Sequence, residues 1–171
     1  MARDLKEDFF RLDGAWASFE LMSIRQRQDY LRPFRVLRCK IDAQVDFQAI
    51  ESHRSRTEAT VLIEVFGDEE LVAAGGRGPV HAVDNAMRKI LEKHYPQLSE
   101  VTLEEFDVRL LHGVASDEEE NGAGALVRVL AIFSDGNERW GTVGVAADIL
   151  QASVECIIDG LEWKLRGEHK H

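Results

Sequence analysis

The sequence predicts an α+β protein made of two pseudo-symmetric strand-strand-strand-helix (βββα) units, preceded by a short helical segment. Two observations support this fold class. The same order of predicted elements occurs twice along the 171 residues. Residues of similar type also repeat at a constant spacing, because Leu71 matches Trp140 and Gly75 matches Gly144. Such a duplication predicts two sheets, each with a helix on one face.

Residues 1–33 differ from the rest of the chain in the spacing of their apolar residues. Residues 3–12 and 15–31 mix apolar and basic side chains at helical spacing, which predicts two helices. Asp13-Gly14 separates these helices, and Pro33 ends the second one. We therefore expect residues 1–33 to form a helical linker subdomain in front of a duplicated domain that spans residues 34–171.

The first repeat is predicted to cover residues 34–98. Its predicted strands are Phe34–Phe47, Thr57–Phe66 and Leu71–Gly75. The polar residues 51–58 predict a loop, and Gly67–Glu70 predicts a hairpin turn. Pro79 is well placed in the first turn of a helix, which we expect to end near Tyr95 because Pro96 follows.

The second repeat, residues 99–166, has the same order. Its predicted strands are Val101–Val114, Ala125–Phe133 and Arg139–Val145, and its predicted connections are an acidic loop at Ala115–Gly124 and a turn at Ser134–Asn137. A helix is predicted from Asp148 to Leu165, with Asp148 as its cap. The spacing that relates Leu71 to Trp140 also matches Pro79 to Asp148 and Val83 to Ala152, whereas Val61-Leu62 matches Val129-Leu130 at a spacing shorter by one position.

Composition and charge exclude several classes of function. The chain carries 21 basic and 31 acidic residues, a formal charge of −10, so a nucleic-acid partner is not expected. Two cysteines, Cys39 and Cys156, form neither a disulfide framework nor a zinc signature. We recognise no signal peptide and no membrane-spanning stretch, and we therefore expect a cytoplasmic protein without a membrane partner.

Candidate catalytic and metal-ligating residues are sparse. His53, His81, His94 and His112 are scattered, and none has a carboxylate at metal-ligand spacing that would complete a site. His81 and Asp84 could touch across one helical turn, but two ligands are too few for a metal. The acidic run Asp117–Glu120 is typical of a solvated loop. We therefore predict no catalytic residue, no metal site and no cofactor in this chain.

Each predicted helix follows a glycine-containing corner, at Gly76-Arg77-Gly78 and near Gly144. A helix N-terminus presents free N–H groups and the positive end of the helix dipole, and glycine permits close approach of a ligand. Such a corner could hold a carboxylate or a phosphate. The glycines could equally serve only to turn a strand into a helix, and the residues alone leave both interpretations open. The fingerprint of dinucleotide binding is absent, because His81 stands in place of its third glycine.

Four segments resemble one known family. Residues 76–89, Gly-Arg-Gly-Pro-Val-His-Ala-Val-Asp-Asn-Ala-Met-Arg-Lys, resemble its GNGPVxALDxALRK segment. Residues 140–153, beginning Trp-Gly-Thr-Val-Gly-Val, are similar to its WxTVGVSxNIIEAS segment. Residues 12–21 and 159–165 are similar to the flanking EGAxASFELL and DSIEYKL stretches. The family is that of the 2-isopropylmalate, homocitrate and citramalate synthases, and the resemblance is to its C-terminal regulatory and dimerisation domain.

The resemblance implies a larger parent enzyme. Its N-terminal barrel would use a divalent metal ion to condense acetyl-CoA with a 2-oxo acid, which is pyruvate for a citramalate synthase in isoleucine biosynthesis. Those catalytic residues have no counterpart in this chain. What the resemblance implies here is a homodimer that acts on the catalytic barrel of the same chain and binds a branched-chain amino acid, isoleucine or leucine, as a feedback effector.

The implied effector site comprises residues at both corners. They are Gly76, Arg77, Gly78, Pro79, Val80, Val83 and Asp84 in the first repeat, and Gly144, Val145, Ala147, Asp148, Ile149 and Ala152 in the second. Arg77 replaces the usual asparagine of the family and favours an anion, whereas Asp148 brings a carboxylate to the second corner. Two alternatives remain open: a dimerisation domain without an effector, and a regulatory domain of a leucine-controlled 2-isopropylmalate synthase.

Overall fold

The computed structural model describes residues 13–45, 56–111 and 126–167. A 3-10 turn at Asp13–Ala15 leads into the first helix, and a second 3-10 turn at Pro96–Glu100 separates the two repeats. The helices and strands are α1 (Trp16–Ile24), β1 (Arg35–Gln44), β2 (Arg56–Val65), β3 (Asp68–Gly76), α2 (Pro79–His94), β4 (Thr102–Leu111), β5 (Leu126–Ser134), β6 (Arg139–Ala146) and α3 (Ile149–Leu165). The predicted βββα duplication with a preceding helical segment is confirmed.

The chain divides into two compact units. One is Arg32–Ser99 and holds the first repeat, and the other combines the segment up to Leu31 with the second repeat from Glu100 onward. Each unit contains one antiparallel sheet, of order β1-β2-β3 in the first and β4-β5-β6 in the second. The middle strand of each sheet, β2 or β5, pairs along its length with both neighbours.

The core of the first unit lies between β2 and α2. Ala59, Val61 and Ile63 alternate along β2 and are fully buried on the helix side of the sheet. The buried helical residues recur at helical spacing, and they are Ala82, Val83, Ala86, Met87, Ile90 and Leu91. The Tyr95 hydroxyl, directly after α2, donates a 2.8 Å hydrogen bond to the carbonyl of Pro33, just before β1. This bond connects the end of the helix to the start of the first strand.

The core of the second unit is larger and more aromatic. Phe133 and Trp140 stack with their centroids 6.2 Å apart, and the Trp140 indole donates to the Gly160 carbonyl at 3.0 Å. Gly160 must be small, because a Cβ there would lie 2.3 Å from the Phe133 ring. Cys156 packs nearby, and burial raises the pKa of its thiol to about 12. The thiol is therefore an inert part of the core.

The N-terminal segment packs against β6 and α3 within the second unit. Trp16 meets Trp163 edge-on with centroids 4.6 Å apart. The backbone of the Asp13–Ala15 turn lies so close to β6 that a Cβ on Gly141 would be 1.2 Å from the Gly14 carbonyl oxygen. The absence of a side chain at Gly141 therefore permits this contact.

Several predicted boundaries are wrong. The helix predicted for residues 15–31 ends at Ile24, because Arg25 turns its guanidinium into buried carboxylates and the following residues form turns. Arg56, predicted as loop, begins β2. The hairpin turn consists of Phe66 and Gly67, at φ 54° and 90°, rather than Gly67–Glu70. The predicted helix at residues 3–12, the acidic loop around Asp117–Glu120 and the tail after Gly167 lie outside the described residues.

The predicted alignment of the two repeats also needs correction. Thr57 pairs with Gly76 and Val127 pairs with Ala146, so Thr57 corresponds to Val127 and Gly76 to Ala146. The spacing between equivalent residues of the two repeats is therefore one residue longer than the spacing predicted from the match of Leu71 to Trp140. The helices agree with the corrected alignment, because the cap of α2 is Gly78 and that of α3 is Asp148.

The first strands of the repeats follow a spacing of their own. Both carry a bulge, after Val36 in β1 and after Leu103 in β4, so Val36 corresponds to Leu103. Matching glycine to glycine was misleading, because Gly75 and Gly144 occupy different positions of the fold. The structural alignment of the repeats therefore rests on strand pairing and bulges rather than on residue identity.

Candidate functional site

The first corner, Gly76-Arg77-Gly78, joins β3 to α2. Gly78 is the N-cap in extended conformation, and it offers no side chain to the first-turn N–H groups of the helix. The next residue, Pro79, lacks an N–H group, so the donors at this end are those of Val80 and His81. The His81 ring nitrogen Nδ1 accepts a 3.1 Å hydrogen bond from the Arg77 N–H. The end of α2 therefore carries the positive potential of a helix N-terminus without a carboxylate of its own.

A cleft of about 600 Å³ opens beside this corner. It is lined by the ends of all three strands of the first sheet, at Asp42, Gln44, Arg56, Thr57, Glu58, Gly75 and Gly76. Gly76 links the cleft to the helix, because a Cβ there would lie 2.3 Å from the Ala82 nitrogen. Asp42 and Glu58 are direct cross-strand neighbours. Two carboxylates and a guanidinium on one rim suit a small zwitterion, which carries both signs of charge.

The second corner, between β6 and α3, is built differently. The Asp148 carboxylate accepts hydrogen bonds from the N–H groups of Leu150 at 2.6 Å and Gln151 at 3.0 Å. Asp148 is thus confirmed as the helix cap. A ligand carboxylate would have to displace Asp148 and would be repelled by it. Gly144 is buried, and a Cβ on it would lie 2.0 Å from the Ala152 carbonyl oxygen, so this glycine serves close packing of strand and helix.

The predicted site residues differ in accessibility. Val83 and Ala152 are fully buried in the two cores, so a ligand at either surface would not touch them. The exposed or partly exposed positions are Gly76, Arg77, Gly78, Pro79, Val80 and Asp84 in the first repeat, and Val145, Ala147, Asp148 and Ile149 in the second. Asp84 accepts from Arg88 Nε at 2.9 Å through Oδ2, while Oδ1 is buried without a hydrogen-bond partner among the described residues. Their role in effector binding stays a prediction.

A buried polar network, which the sequence did not reveal, joins the N-terminal segment to α3. Arg25 forms a bidentate pair with Glu162, through Nε to Oε1 at 3.0 Å and Nη2 to Oε2 at 2.6 Å, and it also donates to Asp159. Tyr30 donates to Glu162, and Ser18 donates to Asp159 at 2.6 Å. Glu162 is fully buried. Burial lowers the pKa of Arg25, but the hydrogen bonds and charges of Glu162 and Asp159 outweigh it and raise the pKa above its ordinary value.

An exposed apolar strip runs along β4. Leu103, Phe106 and Val108 are each 38% exposed, and Leu110 is 48% exposed. All four lie on the helix-facing side of the second sheet, but α3 packs on β5 and β6 instead. We call these four residues the β4 strip. Large apolar side chains aligned on one edge strand are typical of a surface that another protein covers.

The sequence profile of the LeuA allosteric (dimerisation) domain matches residues 21–165. The chain belongs to this family. Over 163 residues it is 37% identical to an (R)-citramalate synthase from Geobacter sulfurreducens. The aligned region covers 95% of this chain and 29% of that protein. The (R)-citramalate synthases from a Synechocystis species and from Streptomyces coelicolor are 36% and 33% identical, over 96% and 91% of this chain. The chain thus spans less than a third of the length of these relatives.

The match to the LeuA family places the structural features in context. It begins inside α1 and ends at the last residue of α3, so Arg25, both corners and the β4 strip all lie within it. In this LeuA domain, no group of three or more His, Cys, Asp or Glu side chains within the described ranges could hold a metal ion. None of its described helices combines the length and apolar character that crossing a bilayer requires.

Proposed function

We propose that this chain is the regulatory part of a larger citramalate synthase, in which it forms a homodimer and binds a branched-chain amino acid as feedback effector. The open corner and charged cleft of the first repeat carry this proposal. An allosteric site needs a binding free energy that differs between two states of the protein. A surface cleft next to an uncapped helix end would provide such a site, since a bound ligand would contact all three strands of the sheet at once.

The chemistry of an α-amino acid matches the first corner. The ligand would lie across the end of the sheet, where its carboxylate would accept from the first-turn N–H groups of α2 on the helix side and from the Arg56 guanidinium. Its ammonium group would be held by Asp42 and Glu58, which lie side by side on the side of the sheet turned away from α2. The aliphatic side chain would rest against the partly exposed Val80. Isoleucine and leucine both satisfy this pattern, and the likeness to citramalate synthases favours isoleucine.

Dimerisation would cover the β4 strip. Burying an apolar side chain contributes about 1.5–3 kcal/mol when the chain goes from exposed to fully buried. The strip offers four partly exposed side chains on one face of β4, a strand that pairs on one side only within the part of the chain that the structure describes. The family to which the chain belongs is a dimerisation domain, so a second copy is the natural partner.

The catalytic part of the parent would lie outside this chain. The aligned region covers 29% of the Geobacter relative, so most of a parent enzyme of that length would lie outside this chain. The divalent metal ion and acetyl-CoA would bind there, as the resemblance to the synthases implies. The reaction of the parent, condensation of acetyl-CoA with pyruvate, is part of this proposal.

Calorimetric titration of the folded chain with isoleucine, leucine, valine and threonine tests effector binding. We expect saturable binding of isoleucine and none of its des-amino analogue 3-methylpentanoate, which lacks the ammonium group. Arg56→Ala should weaken binding at least tenfold, whereas the matched variant Arg27→Ala, far from the cleft in sequence and in the other unit, should not. Preference for leucine would favour a 2-isopropylmalate synthase as parent. Absence of heat with all four amino acids would leave only a dimerisation domain.

Light scattering of the eluting chain tests dimerisation. We expect a dimer for the wild type and for Met22→Asp, which places a charge on an exposed apolar position of α1. Phe106→Asp and Val108→Asp should give monomers with an unchanged far-UV spectrum. A wild-type monomer across the accessible concentration range would contradict the dimerisation proposal.

A further inference from the structure

The first strands of the two repeats carry opposite charges at equivalent positions. The shared bulge fixes the correspondence of Val36 with Leu103. On the side turned away from the helices, Arg38, Lys40 and Asp42 of β1 therefore correspond to Glu105, Asp107 and Arg109 of β4. The sign is reversed at all three positions. The reversal continues on the middle strands, where the strand pairing makes Glu58 correspond to Arg128.

Both strands are sheet edges. Within the described ranges, β1 pairs only with β2 and β4 only with β5, so each has an outer row of N–H and C=O groups that no strand covers. Such an edge is a ready template for a strand of another chain. The charged side chains along the two edges are accessible, since Arg38, Lys40, Asp42 and Glu105 are exposed and the Asp107 and Arg109 side chains retain 48% and 40% exposure.

The helix-facing side of the same two strands is apolar. It carries the β4 strip in the second repeat, and Cys39 and Ile41, both half-buried, in the first. Each edge strand thus has one apolar side and one charged side, in the same orientation relative to its helix. Strands placed side by side in this orientation would join apolar side to apolar side and charged side to charged side.

We propose that in the dimer β1 of one copy lies alongside β4 of a second copy, and that twofold symmetry repeats this contact with the roles exchanged. The inference rests on the proposed dimerisation and names the surface that performs it. The strand β1 carries three cations and one anion, a net charge of +2, and β4 carries three anions and one cation, a net charge of −2. Opposite charges across neighbouring strands stabilise the pairing, and like charges directly opposite destabilise it.

The charge pattern also selects against the wrong contacts. A pairing of β1 with β1 would bring together two edges of net charge +2, and a pairing of β4 with β4 two edges of net charge −2, so both would be disfavoured. Some carboxylates already have partners in the chain, because Glu105 contacts Arg139 and Asp107 lies 3.2 Å from Arg109. The net charge of each edge nevertheless persists, and edge charges are a common means of controlling which strands pair.

Charge reversal tests this pairing by sedimentation equilibrium at low ionic strength. Arg38→Glu/Lys40→Glu makes both edges negative, and Glu105→Lys/Asp107→Lys makes both edges positive. Each double variant alone should dimerise at least tenfold more weakly than the wild type. An equimolar mixture of the two variants should recover dimers to within about threefold of wild-type affinity, because each negative edge then faces a positive one. Recovery also demonstrates that both variants are folded.

The matched control is Arg27→Glu/Lys93→Glu, which changes the net charge by the same amount at two exposed positions off the edge strands. It should dimerise like the wild type. If the wild type is dimeric and both edge variants dimerise equally well, the pairing of β1 with β4 is overturned while the dimerisation proposal stands. If the wild type is monomeric, dimerisation itself fails and the pairing fails with it.

Discussion

The two repeats share the same order of strands and helix, and they differ in the residue that caps the N-terminus of the helix. The second repeat caps its helix with the Asp148 carboxylate, whereas the first has Gly78 at the equivalent position. A cleft lined by charged side chains lies beside the first corner. After duplication, one copy has kept an accessible helix end and the other has filled it, so a single ligand site per chain is the outcome we expect.

The edge strands show the same contrast. The N–H of Val143 on β6 donates to the Ser18 hydroxyl of the N-terminal segment, which covers that edge. Among the described residues, the corresponding edge of the first repeat, β3, receives side-chain donors from its own helix, from Asn85 to the Gly75 carbonyl and from Lys89 to the Ala73 carbonyl. A separate N-terminal segment thus covers the edge of the second repeat, whereas the first repeat uses its own helix.

The largest expected effect comes from breaking the buried network of the second repeat. Arg25→Ala removes the bidentate guanidinium partner of the fully buried Glu162, which should cost about 3 kcal/mol of unfolding free energy. Urea unfolding followed by tryptophan fluorescence measures this, because Trp16, Trp140 and Trp163 all lie in the unit of the second repeat. The exposed Arg27→Ala serves as control and should change stability by less than about 0.5 kcal/mol. A loss below about 1 kcal/mol for Arg25→Ala would contradict this account.

A smaller effect is expected when the N-terminal segment is pushed off β6. A Cβ on Gly141 would overlap the Gly14 carbonyl, so Gly141→Ala should cost about 1–3 kcal/mol. Tryptic cleavage after Arg25 and Arg27 should become faster at the same time. Gly78→Ala in the first repeat meets no atom within 4 Å, so it should cost less than about 1 kcal/mol through the poorer helix cap and leave cleavage unchanged. Equal behaviour of the two variants would remove the contrast between the repeats.

Exchanging the helix caps tests whether Gly78 and Asp148 account for the difference between the two corners. Asp148→Ala removes two hydrogen bonds to first-turn N–H groups and should cost about 1 kcal/mol, measured by thermal unfolding. Gly78→Asp should stabilise the first unit by a few tenths of a kcal/mol, because glycine caps only slightly less well than aspartate. The same variant should weaken isoleucine binding at least tenfold in calorimetry, since its carboxylate would occupy the effector position. Undiminished binding to Gly78→Asp would move the effector away from this corner.

The smallest expected effect is a pH dependence at Asp135, in the turn between β5 and β6 of the second repeat. The hydrogen bond from Lys164, together with the backbone N–H groups of Glu138 and Asn137, lowers the pKa of Asp135. Because the pKa is lower in the folded than in the unfolded state, the stabilisation is present above the unfolded value of about 3.9 and is lost as the pH falls below it.

Asp135→Asn should therefore be less stable than the wild type at pH 7, by about 1 kcal/mol, and the difference should shrink at pH 3. Urea midpoints from tryptophan fluorescence at pH 7, 5 and 3 measure this trend. The corresponding residue of the first repeat is Val65, which cannot titrate. A difference that stays constant with pH would show that the carboxylate charge plays no part.

The sequence was a good guide where local chemistry determines structure. The strand at β2, the proline that opens α2 and the aspartate that caps α3 depend on residues close together in the sequence, and all three were predicted. The length of α1 was not, because it ends where Arg25 meets the carboxylates of Asp159 and Glu162, which lie near the other end of the chain. Likewise the turn at Phe66 was missed, since an aromatic residue at positive φ has no signature in composition.

The site was only partly predictable for the same reason. The glycines of the first corner follow from sequence, but the cleft depends on strand register, which places Asp42 beside Glu58 and both near Gly75. The asymmetry of the corners also required the structure, because residue matching aligned Asp148 with Pro79 rather than with Gly78. In the corrected alignment the two helix caps, Gly78 and Asp148, are equivalent. An alignment shifted by one position hides this, because it matches Asp148 with a residue that is not a cap.

Hydrogen exchange with mass spectrometry tests directly whether the first repeat binds the effector and the second does not. The exchange of backbone amides is compared with and without saturating isoleucine. We predict that residues 76–84 gain protection, while residues 144–152 exchange as before. Protection that appears only at residues 144–152, or equally at both corners, would contradict the account.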